Sequence, residues 1–233
     1  TPAAWRPGRP RSAPRRAGSS SLGFPHGPAG TGPFLLAVQA RLGREDLVDL
    51  AGECGDTLLR SAIRLGETAS WPATTDSAKD LHEAAGLYHW CNGASGVGTF
   101  LVRLYSVTHE ERYLDAAYAA ARALMAARWT SSNCYCHGLA GDGDFLLDLA
   151  HVTRDPAVVS WVRDIVALLW ARRVYDNGRP VLTDESGRQI TGGYGAGLAG
   201  CLSFLSRVRD GGSRLFHPCP PGFGEEGRSG GAA

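Results

Sequence analysis

Lysine is all but missing from this chain: Lys79 is the single one among 24 basic residues, and 23 acidic residues bring the net charge to +1 at pH 7. So even a balance excludes nucleic acid as the expected partner, since polyanion-binding surfaces carry an excess of basic charge. No apolar run approaches the roughly 18 residues a membrane helix needs, and residues 1–20 hold Arg and Pro without an apolar stretch. The sequence therefore predicts neither a membrane span nor a secretory signal, and a reducing cytoplasm is the expected compartment. There the six cysteines are expected as buried thiols and metal ligands rather than disulfides. Also missing is a pair of carboxylates at equivalent places of a cavity, which a glycosidase would need. Asp142 and Asp144 follow one glycine motif, but no acidic residue answers them at His26 or Asn92.

What is present is a five-residue grammar. His26-Gly27-Pro28-Ala29-Gly30, Asn92-Gly93-Ala94-Ser95-Gly96, His137-Gly138-Leu139-Ala140-Gly141 and Ala196-Gly197-Leu198-Ala199-Gly200 each end in a Gly followed, four and five residues on, by Phe-Leu. Repetition of this kind stacks one supersecondary unit, so equivalent positions arrive at equivalent heights. The irregular spacing of the copies fits a closed ring of helix pairs better than an open solenoid. After each glycine pair comes apolar spacing of helical period, such as Phe34, Leu35, Val38 and Leu42, or Phe100, Leu101, Leu104 and Tyr105. These are read as core-facing inner helices. Outer helices are predicted near 45–64, 110–128 and 155–173, the last with Asp155 as N-cap and Pro156 as first helical residue. Residues 65–88 read as a long connection, and 174–191 as turns flanking a short hairpin. With 43% hydrophobic residues the chain needs only one domain. Segments 1–20 and 217–233, rich in Pro, Gly and Arg, are expected to be disordered tails around a domain at 21–216.

Cys91 and Cys136 precede two copies in the same register, and His137 follows Cys136. Thiolates and imidazole are zinc ligands, and three protein ligands leave a fourth position for substrate. Adjacent Cys136 and His137 can face one ion from an irregular turn, which the glycines supply. Cys134 is read as a spare thiol, Cys54 and Cys201 as core. His26 shares the register of His137 and is the candidate general acid or base. His82, His89, His109, His151 and His217 fall outside the register and are read as surface or loop residues.

Trp90-Cys91-Asn92-Gly93 and Cys136-His137-Gly138, with the Gly23-Phe24-Pro25-His26-Gly27 element, resemble the lanthionine synthetase C-like family, and the surrounding residues look most like the cyclase domain of class IV lanthipeptide synthetases. The resemblance implies an all-α fold, an α/α toroid of inner and outer helices, incomplete here and carrying a small hairpin insert. It implies zinc on Cys91, Cys136 and His137, with His26 doing acid/base work. The implied reaction is addition of a peptide cysteine to dehydroalanine or dehydrobutyrine, giving lanthionine or methyllanthionine rings. A dehydrated precursor peptide is then the partner, together with the lyase, kinase and upstream cyclase repeats of a synthetase. Asn92 stands where the family commonly has His or Tyr, and Leu87 where some members have Arg. The alternative is a non-catalytic, peptide-binding remnant of such a synthetase.

Overall fold

The computed structural model describes residues 21–75 and 87–214, so the tails expected at 1–20 and 217–233 lie outside the described residues, as do His82, His217 and Cys219. Each motif copy opens a helix. α1 (Pro28–Leu42), α3 (Ala94–Thr108), α5 (Leu139–Thr153) and α7 (Leu198–Asp210) begin just after the first glycine of their copy. Between them run α2 (Asp46–Ser61), α4 (Glu111–Ala127) and α6 (Pro156–Ala171). The inner helices pack in chain order, α1 on α3, α3 on α5 and α5 on α7, and each of the first three packs on the outer helix that follows it. This is the stacked α/α arrangement the repeat predicts. The start of α6 is as read: the Asp155 carboxylate accepts the Ala157 N–H at 2.8 Å and Pro156 is the first helical residue.

Two antiparallel hairpins join outer to inner helices. β3 (Val174–Asp176) and β4 (Arg179–Val181) pair across Asn177-Gly178, both with positive φ, the turn that matches strand twist. β1 (Ile63–Leu65) and β2 (Thr68–Ser70) form a second hairpin that runs from the expected end of the outer helix into the segment expected as a long connection. Ile63, read as the end of the outer helix, belongs to this hairpin.

Glycine sets the spacing between neighbouring inner helices. A Cβ on Gly32 would lie 2.1 Å from the Phe100 ring, one on Gly98 2.3 Å from Phe145, and one on Gly143 2.4 Å from Phe204. The motif Phe of each helix thus lies in a groove left open by a glycine of the preceding one. Phe100, Phe145 and Phe204 are wholly buried, each contributing about 1.5–3 kcal/mol by burial. Phe34, at the same step of α1, is 65% exposed, and Leu42 is exposed as well. The expectation that both face the core is corrected: among the described residues no helix stands before α1 to receive them. At the other end Leu202 occupies the step of the grooved glycines and is 52% exposed. In between, every residue of α3 from Ala94 to Leu104 is buried, as expected of a helix enclosed on all sides.

The row of inner helices encloses charge. Asp148 of α5 accepts from Arg207 (2.8 Å) and from Arg214 (2.8 Å), while Asp144 pairs with Arg207 and, at 3.1 Å, with Arg214. The Tyr135 hydroxyl donates to Asp144 at 2.7 Å and accepts from Arg214 at 2.6 Å. Burial alone would raise the Asp148 pKa, but Arg214, Arg207 and Arg103 outweigh it and hold the carboxyl at about 2. Asp142, two residues before Asp144, has no such cation among the described residues. Burial pushes it up to about 8 against the pull of Ser95 and Ser131, and its Oδ1 has no hydrogen-bond partner among the described residues.

Candidate metal centre

The turns that precede the inner helices are laced to one another. Phe24 N–H donates to the Cys91 carbonyl (2.8 Å), Cys91 N–H to the Cys136 carbonyl (3.3 Å), and Cys136 N–H to the Gly195 carbonyl (2.8 Å). The residues one step earlier form a ladder of rings, with centroids 4.5 Å apart for Phe24 and Trp90, 5.4 Å for Trp90 and Tyr135, and 5.0 Å for Tyr135 and Tyr194. Closing each turn, Gly30, Gly96, Gly141 and Gly200 let these residues' own carbonyls approach so near that a Cβ would lie about 2 Å away. The lacing puts Pro25, Cys91, Cys136 and Gly195 side by side at one end of the helix row. Two of the four carry sulfur, and they are neighbours.

Cys91 Sγ, Cys136 Sγ and a His137 ring nitrogen all lie within 4.8 Å of one another. Cys136 Sγ is 3.6 Å from His137 Nε2, about the edge of a tetrahedron with metal–sulfur and metal–nitrogen bonds of about 2.3 and 2.0 Å. Two thiols and an imidazole nitrogen at that separation suit zinc. The hydrogen bond from Cys136, against the cost of burial and helped by His137 and by Asn92, draws Cys91 down to about 6. Cys136, as donor, is pushed up by its bond to Cys91 and by burial.

Neighbouring groups brace these three residues. Cys134 Sγ accepts the His137 backbone N–H at 3.3 Å, and Cys201 Sγ donates to the Asn133 carbonyl at 3.1 Å. The first was read as a spare thiol; its sulfur holds the turn in shape. His137 Nδ1 meets Glu185 Oε2 at 3.1 Å, and Cys134, His137 and Glu185 themselves group within 4.8 Å. His89, set aside in the sequence as a surface or loop residue, stands edge-on to the His137 ring at 5.6 Å. Burial and the nearby His137 lower its pKa.

His26 is not part of this cluster. It is exposed and lines an adjoining cavity of about 720 Å³ with Phe24, Phe34, Trp90 and Arg103. The cavity and the cluster share a wall, because Trp90 precedes Cys91 and Phe24 bonds to it. The Asn92 amide oxygen sits over Gly23, where a Cβ would come within 2.1 Å of it. Asp144, weighed above as an acid at the cavity, is held in the arginine network instead. Glu185 was legible only as part of a turn, since the contact joins residues 48 apart in the chain.

Helix pairs whose laced turns present two cysteines and a histidine at one end define an α/α protein with a cysteine–histidine group that could hold a metal ion. The chain belongs to the lanthionine synthetase C-like protein family, whose model matches residues 8–220. Its fold is similar to that of nisin cyclase, with a TM-score of 0.61 at 17% sequence identity over 82% of this chain and 47% of that one. The chain thus spans about half the length of that protein. Among the described residues no helix is long and apolar enough to cross a membrane.

Proposed function

We propose that this chain carries out the zinc-dependent closing of lanthionine and methyllanthionine rings in a dehydrated ribosomal peptide. The observation that carries this reading is the meeting of Cys91 Sγ, Cys136 Sγ and a ring nitrogen of His137 within 4.8 Å in a member of this family. These three would hold the zinc, which supplies the positive charge that keeps a peptide thiol ionised at neutral pH. The peptide lies in the cavity beside them, whose aromatic residues Phe24, Phe34 and Trp90 suit its side chains. The peptide sulfur forms a bond to the β-carbon of dehydroalanine or dehydrobutyrine, the double bond is lost, and the thiol's proton is balanced by one delivered to the α-carbon. His26 delivers it: an exposed imidazole on the cavity wall can exchange protons with water and reach the peptide. Arg103 lines the same cavity and adds positive charge to its wall.

The test is thioether formation from a dehydrated peptide, scored by mass spectrometry after blocking free thiols. Ring closure lost in Cys136→Ala and slowed about 100-fold or more in His26→Ala, with zinc kept in the latter, is expected. A His26→Ala variant as fast as wild type would remove that residue from the mechanism.

A second reading is a non-catalytic module that binds precursor peptide within a class IV synthetase, alongside its lyase, kinase and further cyclase repeats. The exposed Phe34 and Leu202 at the two ends of the helix row favour it. Peptide binding without turnover would support it.

A further inference from the structure

The fourth motif copy carries no ligand-type side chain, yet its backbone is tied to the metal centre twice. The Gly195 carbonyl accepts Cys136 N–H, and the Ala196 carbonyl accepts Glu185 N–H at 2.9 Å. Ala196 stands at the motif step that holds His137 in the third copy, so Glu185 is fastened directly beside that histidine. The loop bearing it is built without help from His137. The Asp184 carboxylate accepts from Ser186 N–H (3.0 Å), from the Ser186 hydroxyl (2.6 Å) and from Gln189 N–H (3.4 Å), while Gly187 N–H closes onto the Asp184 carbonyl at 3.0 Å. From the other side the Asn133 amide donates to Thr183 Oγ1 at 3.3 Å, and Arg172 donates to the Trp129 carbonyl at 2.8 Å and to the Ser131 carbonyl. The Glu185 carboxylate is therefore presented to His137 from a pre-formed loop.

We propose that Glu185 is the positioning residue of the metal centre: it accepts the Nδ1–H of His137, fixes the ring and its tautomer, and so turns the lone pair of Nε2 toward Cys91 and Cys136. An imidazole cannot present a lone pair at Nε2 unless the proton sits on Nδ1, and a carboxylate at 3.1 Å holds it there. The arrangement follows the general rule that a metal-binding histidine donates its other N–H to an oxygen that orients it. It also gives the 174–197 insert a use: it delivers a carboxylate that the repeat itself does not contain. The inference rests on the proposed metal reading only for its consequence, since the bond exists in the chain alone.

The deciding experiment reads the tautomer without metal. In chelator-treated chain labelled with 15N-histidine, at about pH 8, above the ordinary imidazole pKa of about 6.5, long-range proton–nitrogen correlation is expected to show His137 protonated at Nδ1. Glu185→Ala should lose that preference, and Glu185→Gln, whose amide oxygen can still accept, should keep it. The same tautomer in Glu185→Ala as in wild type, with circular dichroism unchanged, would overturn the proposal. Zinc affinity, measured by competition with a chromophoric chelator, should fall about 10–100-fold in Glu185→Ala and less in Glu185→Gln; equal affinities in all three would also overturn it. Because the tautomer is read without metal, it decides the role of Glu185 even in a wild-type chain that takes up no zinc, a result that would overturn the proposed function alone.

Discussion

Phe145 and Phe34 stand at the same step of the same repeat, and the first is wholly buried while the second is 65% exposed. The two differ in what precedes them. Phe145 lies in the groove of Gly98 on α3, whereas no described helix precedes α1. The same contrast runs through the site. Cys91 and Cys136 each have a laced neighbour on both sides, so their sulfurs meet; His26 lies at the first turn, laced on one side, and opens onto a cavity. The repeat builds a position, and its neighbours decide whether that position becomes core, part of the cysteine–histidine cluster or cavity wall.

The largest effects are expected in the middle of the row. Phe145→Ala should cost about 3–5 kcal/mol, the usual range for a large aromatic removed from a closed core, read as a shift of the urea midpoint. Arg214→Ala should cost a similar 3–5 kcal/mol, because it leaves Asp148 and Asp144 with one cation fewer in a buried site. Little change on Arg214→Ala would show that the network is not needed for the row to hold.

A smaller effect separates two carboxylates of one helix. Asp142 has its folded pKa raised to about 8, so the stability linked to its protonated form is complete below about pH 4 and is lost as pH rises through 8, on the order of a few kcal/mol. Asp148, held at about 2, contributes in the opposite sense: its stability is present above about pH 4 and is lost as pH falls through 2. Asp142→Asn should flatten the alkaline side of the stability profile and leave the acid side as it was. A profile unchanged between pH 4 and 8 would refute the assignment. The smallest effect belongs to the end of the row, where Phe34→Ala should stay within about 0.5 kcal/mol; a loss close to that of Phe145→Ala would mean that Phe34 is covered after all.

Much of this could be read from the sequence, because the repeat acts locally. The motif fixes where each inner helix starts, Asp155-Pro156 announces its helix, and the shared register of Cys91 and Cys136 foretells their meeting. Other features escaped because they depend on partners distant in the chain. The apolar period of α1 is like that of α3, so periodicity could not tell an exposed Phe34 from a buried Phe100. The β1–β2 hairpin has strands of three residues, too short for alternation to register. The pairing of Asp144 and Asp148 with Arg207 and Arg214, and of Glu185 with His137, spans residues 48 to 70 apart, and no spacing rule connects them.

The central claim is that neighbouring turns of the repeat bring Cys91, Cys136 and His137 to one metal ion. It is tested most directly by zinc content per chain in the purified protein beside Cys91→Ala and Cys136→Ala, each checked for its helical circular dichroism. The account predicts about one zinc in wild type, as for a three-ligand centre, and its loss in both folded variants. A folded wild type without zinc, or variants that retain it in full, would contradict it.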